Sequence, residues 1–266
     1  MSAAPAGPTG APGRRAAFRG LVDFHTHLHL YPDPAAEADA IAASGARCVA
    51  ASVDVPSYLA TLAAAAGRPA VVPTFGVHPA RALSYAGRES ELEPYLAASP
   101  LIGEIGLDHL WARDVPREAQ RRVFERLAGR AAELGRYCVV HTKAAEAEVL
   151  ETLRAVRASR VVIHWYSGPM GILGRMIDEG YYFTFGCSLR RWPMSRAAAR
   201  RVPAERLLVE TDNPVGEPWL GGSRTDIGLA ERAVRDLARA RGAAPEELRS
   251  QIRRNSMRIF RESGLA

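Results

Sequence analysis

The residues of this chain best suited to chemistry are histidines and carboxylates placed at the ends of apolar runs. Asp23-Phe24-His25-Thr26-His27 lies inside the run from Leu21 to Leu30. Side chains alternate faces along a strand, so His25 and His27 point the same way, roughly 7 Å apart, with Asp23 behind them on that face. Two imidazoles on one rigid face can grip a metal ion, and two buried imidazoles bonded to backbone are the plainer alternative. Other apolar runs end in the same fashion. His78 follows the third, Glu104 and Asp108 close the fourth, His141 the fifth, His164 the sixth, and Asp212 follows the eighth. Most of the seven histidines fall at such positions. Each alone reads as a structural residue, but their conjunction does not.

Positioning these side chains needs strands whose ends converge. Eight short apolar strands are expected near 21–30, 48–53, 71–77, 101–107, 137–141, 161–164, 181–185 and 207–211. Helical patterns separate them, the longest at 116–134 with Val123, Leu127, Ala131 and Leu134 on one face. Alternation of this kind predicts a parallel (β/α)8 barrel of the TIM type, spanning residues 21–266 as one domain. An open doubly wound sheet would gather its functional residues at one switch point, often beside a glycine-rich loop. Here the candidates are spread over many strands, and in a barrel they share one mouth.

Composition narrows the class. Apolar content of 47% and charged content of 24% suit a soluble globular protein, and no long uncharged apolar run predicts a membrane helix. Residues 1–20 are rich in Ala, Pro and Gly without an apolar core, which predicts a disordered leader rather than a secretory signal. The net charge of +6 is weak support for an acidic partner, because nearly all of it is arginine and much of that lies on helix faces. Lys143 is the only lysine. Cys48, Cys138 and Cys187 sit singly in apolar runs, as expected of buried thiols in a reducing compartment, the cytoplasm.

Six motifs carry a resemblance: Asp23-Phe24-His25-Thr26-His27, Gly76-Val77-His78-Pro79, Ile102-Gly103-Glu104-Ile105-Gly106-Leu107-Asp108, Val140-His141-Thr142-Lys143, Ile163-His164-Trp165-Tyr166-Ser167-Gly168, and Leu208-Val209-Glu210-Thr211-Asp212-Asn213-Pro214. In order and spacing they resemble the TatD family of metal-dependent hydrolases and DNases, and the segment 255–260 is similar to its closing helix. Leu30-Tyr31-Pro32-Asp33-Pro34 after the opening motif, together with His164-Trp165-Tyr166-Ser167-Gly168, looks most like the TatD-type nuclease of the Qat antiphage defence systems.

The resemblance implies a barrel with two divalent ions at its strand C-termini. His25, His27, Glu104 and Asp212 would hold one ion, and Glu104, His141 and His164 the second, with Glu104 bridging. The ion could be magnesium, manganese or zinc: histidines favour a borderline ion, while the family's activity implies magnesium. General chemistry agrees, since paired cations can bind phosphodiester oxygens and acidify a water, and a carboxylate has the two oxygens a bridge needs. Asp212 is the candidate general base, and His78 and Lys143 are placed to meet a phosphate. The implied partner is DNA, as single strands or 3' ends, with other antiphage subunits beside it.

Other polar residues have quieter readings. Glu210 is expected to be a hydrogen-bonding partner behind the ligands or in the barrel core and not a ligand itself, Asp108 to orient a loop or a histidine, and His109 to be a solvated loop residue or, equally, a substrate contact. Trp165 and Tyr166 could stack a base or pack under the helices, and Arg190, Arg191 and Trp192 form a basic and aromatic cluster at the expected mouth that is a phosphate and base contact or, equally, a solvated loop. Three departures stand out from the family pattern. Lys143 replaces an arginine, Trp165-Tyr166 replaces Cys-Phe, and the segment Gly216 to Gly222 lacks the usual Asn-Glu-Pro. The same pocket could hydrolyse an amide, ester or lactone, or the barrel could be a non-catalytic subunit with structural metals.

Overall fold

Runs dominated by Val, Ile, Leu and Phe become strands here because both of their faces are covered, as an all-parallel sheet requires. The computed structural model describes residues 18–223 and 225–265, so the expected leader lies outside the described residues up to position 17. Its strands are β1 (Val22–Thr26), β2 (Arg47–Ala51), β3 (Val71–Thr74), β4 (Ile102–Asp108), β5 (Cys138–Lys143), β6 (Val161–His164), β7 (Tyr182–Phe185) and β8 (Leu207–Val209). They run parallel in the order β3-β2-β1-β8-β7-β6-β5-β4. A parallel bridge between Phe75 and Ile102 joins the two ends and closes the barrel. Gly76 makes that closure possible, because a Cβ there would lie 2.3 Å from the carbonyl oxygen of Glu104.

The helices are α1 (Pro34–Ser44), α2 (Val55–Ala65), α3 (Glu93–Ala98), α4 (Arg117–Glu133), α5 (Glu146–Ala155) and α6 (Met170–Asp178). After β7 come α7 (Ser188–Arg191), α8 (Pro193–Arg201), α9 (Gly216–Trp219), α10 (Gly228–Arg241) and α11 (Pro245–Glu262). Local sequence sets their ends. Asp33 caps α1 by accepting from the Ala36 N–H at 2.9 Å, and Asp54 and Ser57 form a reciprocal capping box on α2. The last helix takes in the 255–260 segment that resembles the family's closing helix. No helix among the described residues is long and apolar enough to cross a membrane.

Two cores result. One lies between the strands and the helix layer; the other contains Val22, Phe24, Val49, Val72, Leu101, Val139, Val162, Tyr182 and Leu208, drawn from all around the barrel, with Ile259 and Phe260 of α11. The second is the barrel interior, and α11 plugs its lower end. Register corrects one expectation. The pairing of β1 with β2 shifts between Asp23 and Thr26, so strict alternation fails. Phe24 packs in the interior, His25 one residue later joins the interior polar cluster, and Asp23 turns instead to the exit of β8.

Candidate active site

Glu104, near the middle of β4, has its two oxygens directed to different histidines. Oε2 lies 3.5 Å from His25 Nε2 and 3.6 Å from His27 Nε2. Oε1 lies 2.8 Å from His141 Nδ1 and 3.7 Å from His164 Nε2. Asp212 completes the first side, its Oδ1 standing 3.3 Å from His27 Nε2 and 3.7 Å from His25 Nε2. His25, His27 and Glu104 thus bring one donor atom each within 4.8 Å of one another, as do Glu104, His141 and His164. All six side chains expected to bind metal meet at one end of the barrel.

The donor set fits cations better than it satisfies itself. His25 Nε2 and His27 Nε2 are 3.2 Å apart and can share one proton between them at most. Asp212 Oδ1 and His25 Nδ1 are buried with no hydrogen-bond partner among the described residues, an arrangement that is costly unless something else supplies the bond. Local backbone fixes Asp212. Its φ of 54° is left-handed, held by its N–H donating to the His25 carbonyl at 2.9 Å. Asp23 braces the preceding residue by accepting from the Thr211 N–H at 2.9 Å and the Thr211 hydroxyl at 2.5 Å.

Charge follows this packing. Burial opposes ionisation of Glu104, yet the imidazoles of His78 and His25 and the hydrogen bond to His141 hold it well below the usual carboxylate range. Burial likewise opposes ionisation of Asp212, and the His27 contact outweighs it and lowers it. His25 is pushed down by burial and by the nearby His164. His164 is drawn up to about 9, because the charge and hydrogen bond of Glu210 overcome burial.

A surrounding layer orients the histidines. His164 Nδ1 is 2.5 Å from Glu210 Oε2, and the Thr184 hydroxyl donates to the same oxygen at 2.7 Å. Asp108 does both things expected of it: Oδ2 lies 3.1 Å from His141 Nε2, while Oδ1 accepts from the Leu110 and Trp111 N–H groups at 2.9 and 2.7 Å. His78 Nδ1 accepts from the Ala80 N–H at 3.1 Å, so the neutral ring carries its proton on Nε2, 3.9 Å from Glu104. Burial drives His78 down to about 4, so the neutral form holds at pH 7. Lys143 donates to the Ser167 hydroxyl at 2.8 Å and is lowered by burial.

These groups line a cavity of about 460 Å³ that includes His27, His78, Glu104, Lys143, His164 and Asp212. His29, Trp111 and Trp219 also line it and were not among the expected site residues. Both ring nitrogens of His29 are buried without a partner among the described residues. The signal for Trp111 was its place three residues past Asp108; for Trp219, the unusual segment after Asp212. Tyr166 is buried in the helix-facing core, its hydroxyl donating to the Pro169 carbonyl at 2.7 Å, which removes it as a stacking platform. Arg190 does not line this cavity. It pairs with Glu217 and, at 3.3 Å, with Asp236, and so ties α7 to α9 and α10.

Parallel barrel, rim position and carboxylate-bridged histidine clusters together define a metal-dependent hydrolase. The chain belongs to the TatD family: the family model TatD related DNase matches residues 22–261. It is 30% identical over 266 residues to the uncharacterized metal-dependent hydrolase YcfH of Escherichia coli K12, covering 90% of this chain and 95% of that one. It is 30% identical over 202 residues to the 3'-5' ssDNA/RNA exonuclease TatD of Edwardsiella piscicida, covering 71% and 77%. In structure it is similar to the TatD homolog YJJV of Escherichia coli K12, with a TM-score of 0.79, 22% identity and coverage of 91% and 98%.

Proposed function

We propose that this protein hydrolyses phosphodiester bonds in DNA, trimming single strands or 3' ends, with two divalent ions held about Glu104. The observation that carries the reading is the division of Glu104 between His25 and His27 on one oxygen and His141 and His164 on the other. Asp212 completes the first set and His164 the second. Bound there, magnesium, manganese or zinc supplies Lewis acidity that polarises a phosphoryl oxygen and makes water nucleophilic near neutral pH.

The protein's own groups do the rest. Asp212, kept ionised at neutral pH, accepts the proton of the attacking water as general base. The Nε2–H of His78 donates into the cavity toward a phosphate oxygen, and the Lys143 ammonium, which lines the same cavity, offsets phosphate charge. Lysine does so as a point charge, without the two-pronged grip of arginine. Nuclease relatives within the family support the choice of DNA over a carbonyl substrate. The Leu30 to Pro34 and His164 to Gly168 segments support a role in antiphage defence, in the cytoplasm and beside other subunits of such a system.

The test uses end-labelled single-stranded and duplex DNA beside p-nitrophenyl esters and phosphodiesters, with and without chelator. Chelator-sensitive shortening of DNA, lost in Glu104→Gln and Asp212→Asn, is expected. Ester turnover without DNA cleavage would replace this reading with a carbonyl hydrolase, and inactivity on every substrate would leave a binding subunit.

A further inference from the structure

All four tryptophans of the chain stand at the rim that carries Glu104. Trp111 follows β4, Trp165 follows β6, Trp192 separates α7 from α8, and Trp219 ends α9. They form two pairs. Trp111 and Trp219 meet edge to face, with ring centroids 5.1 Å apart and planes at 72°. Trp165 and Trp192 lie 5.9 Å apart at 47°. The Lys143 ammonium bridges the pairs, 4.5 Å from the Trp111 ring centroid and 4.8 Å from that of Trp192.

Packing does not account for this collar. Trp111 and Trp219 are 45% and 59% exposed, although indoles are among the side chains that gain most from burial. Trp165 has a left-handed φ of 45°, an outlier for a bulky residue, and its buried indole N–H has no partner among the described residues. Trp111, Trp165 and Trp219 all line the cavity that contains Glu104 and Asp212. Open aromatic faces beside a cation, at the entrance of a phosphodiester site, are the ingredients of a platform for unpaired bases.

We propose that the collar of Trp111, Trp219, Trp165 and Trp192 is a subsite in which unpaired nucleobases stack, with Lys143 taking an adjoining phosphate. The proposal rests on the nuclease reading and names what that nuclease selects. Bases inside a duplex keep their faces stacked on neighbours, so they cannot occupy the collar; single strands and frayed ends can. Every base has a π-face, so the selection is for strandedness and tolerates sequence.

Because every indole belongs to the collar, tryptophan emission of the whole protein reports on it. Oligothymidylate, an abasic oligomer of equal length and charge, and a blunt hairpin are titrated in chelator, where turnover is blocked. Oligothymidylate should quench the emission and bind roughly ten-fold or more tightly than the abasic strand or the hairpin. Trp111→Ala and Trp219→Ala should each lose roughly ten-fold in that affinity, and Trp111→Phe should recover much of it. Equal binding of the abasic strand, absence of quenching, or full affinity in both alanine variants overturns the collar. Metal-dependent cleavage is measured separately on the same strands. Cleavage with no base-dependent binding sinks the collar and spares the nuclease; base-dependent quenching without cleavage by any divalent ion does the reverse.

Discussion

His164 Nδ1 lies 2.5 Å from Glu210 Oε2, and this contact decides which nitrogen of His164 faces Glu104. With the proton of a neutral ring held on Nδ1, the Nε2 lone pair is left for the centre. Glu210→Gln keeps shape and one oxygen to accept from His164 and from the Thr184 hydroxyl, but removes the charge that makes it a strong acceptor. Removing an outer partner of this type costs roughly 10- to 100-fold in metal affinity or activity. Calorimetric titration with zinc or manganese should show that loss with an unchanged circular dichroism spectrum. Wild-type affinity in the variant would remove Glu210 from the support of the site.

Asp108 performs two tasks that one substitution can separate. Oδ2 holds His141 Nε2, and Oδ1 holds the Leu110 and Trp111 N–H groups. Asp108→Asn retains an acceptor for the loop but loses the charge that orients His141, whereas Asp108→Ala loses both. Turnover should fall roughly 10- to 100-fold in each, as for other outer partners of a ligand. Only the alanine variant should also show faster amide exchange through residues 109–112. Equal exchange in both variants would mean that Oδ1 does not anchor the loop.

How much of this was legible beforehand varied with the physics involved. The strands could be read because a doubly covered parallel strand is nearly all apolar, and their polar ends marked Glu104, His141, His164 and Asp212. Which oxygen of Glu104 meets which histidine could not be read, since it depends on barrel closure through Gly76. Alternation failed at Asp23 because a register shift leaves no mark in residue type. Arg190 looked like a mouth residue by position, and only the fold reveals Glu217 and Asp236 beside it. Trp111 and Trp219 lie in irregular segments, where periodicity carries no information.

Ligand binding to the folded state alone raises stability, and at 100 times the dissociation constant the gain is about 2.7 kcal/mol. For a domain of this size that corresponds to a rise of about 5 to 10 °C in Tm. The shift should appear on adding zinc or manganese to chelator-treated protein and shrink sharply in Glu104→Gln, which puts an amide nitrogen in place of one of the two oxygens that face the two histidine pairs. A full shift in that variant would show that the ions bind elsewhere.

Away from the site, Glu89 offers a pH test of one ion pair. Arg122 donates to its Oε1 at 2.5 Å and its Oε2 at 3.2 Å, and the Gly87 N–H donates to Oε1 at 2.8 Å. Burial alone would raise Glu89, but these bonds outweigh it and hold the carboxyl below its ordinary range. A carboxyl depressed in the folded state stabilises above its unfolded pKa, and that contribution is lost as pH falls through the folded value. Arg122 is mostly solvent-exposed, so the pair is worth about 1 kcal/mol. Urea unfolding should therefore place Glu89→Gln about 1 kcal/mol below wild type at neutral pH. The two curves should converge once the solution is more acidic than the ordinary glutamate range. A gap that persists unchanged into acid would assign the effect to shape and the Gly87 hydrogen bond instead of charge.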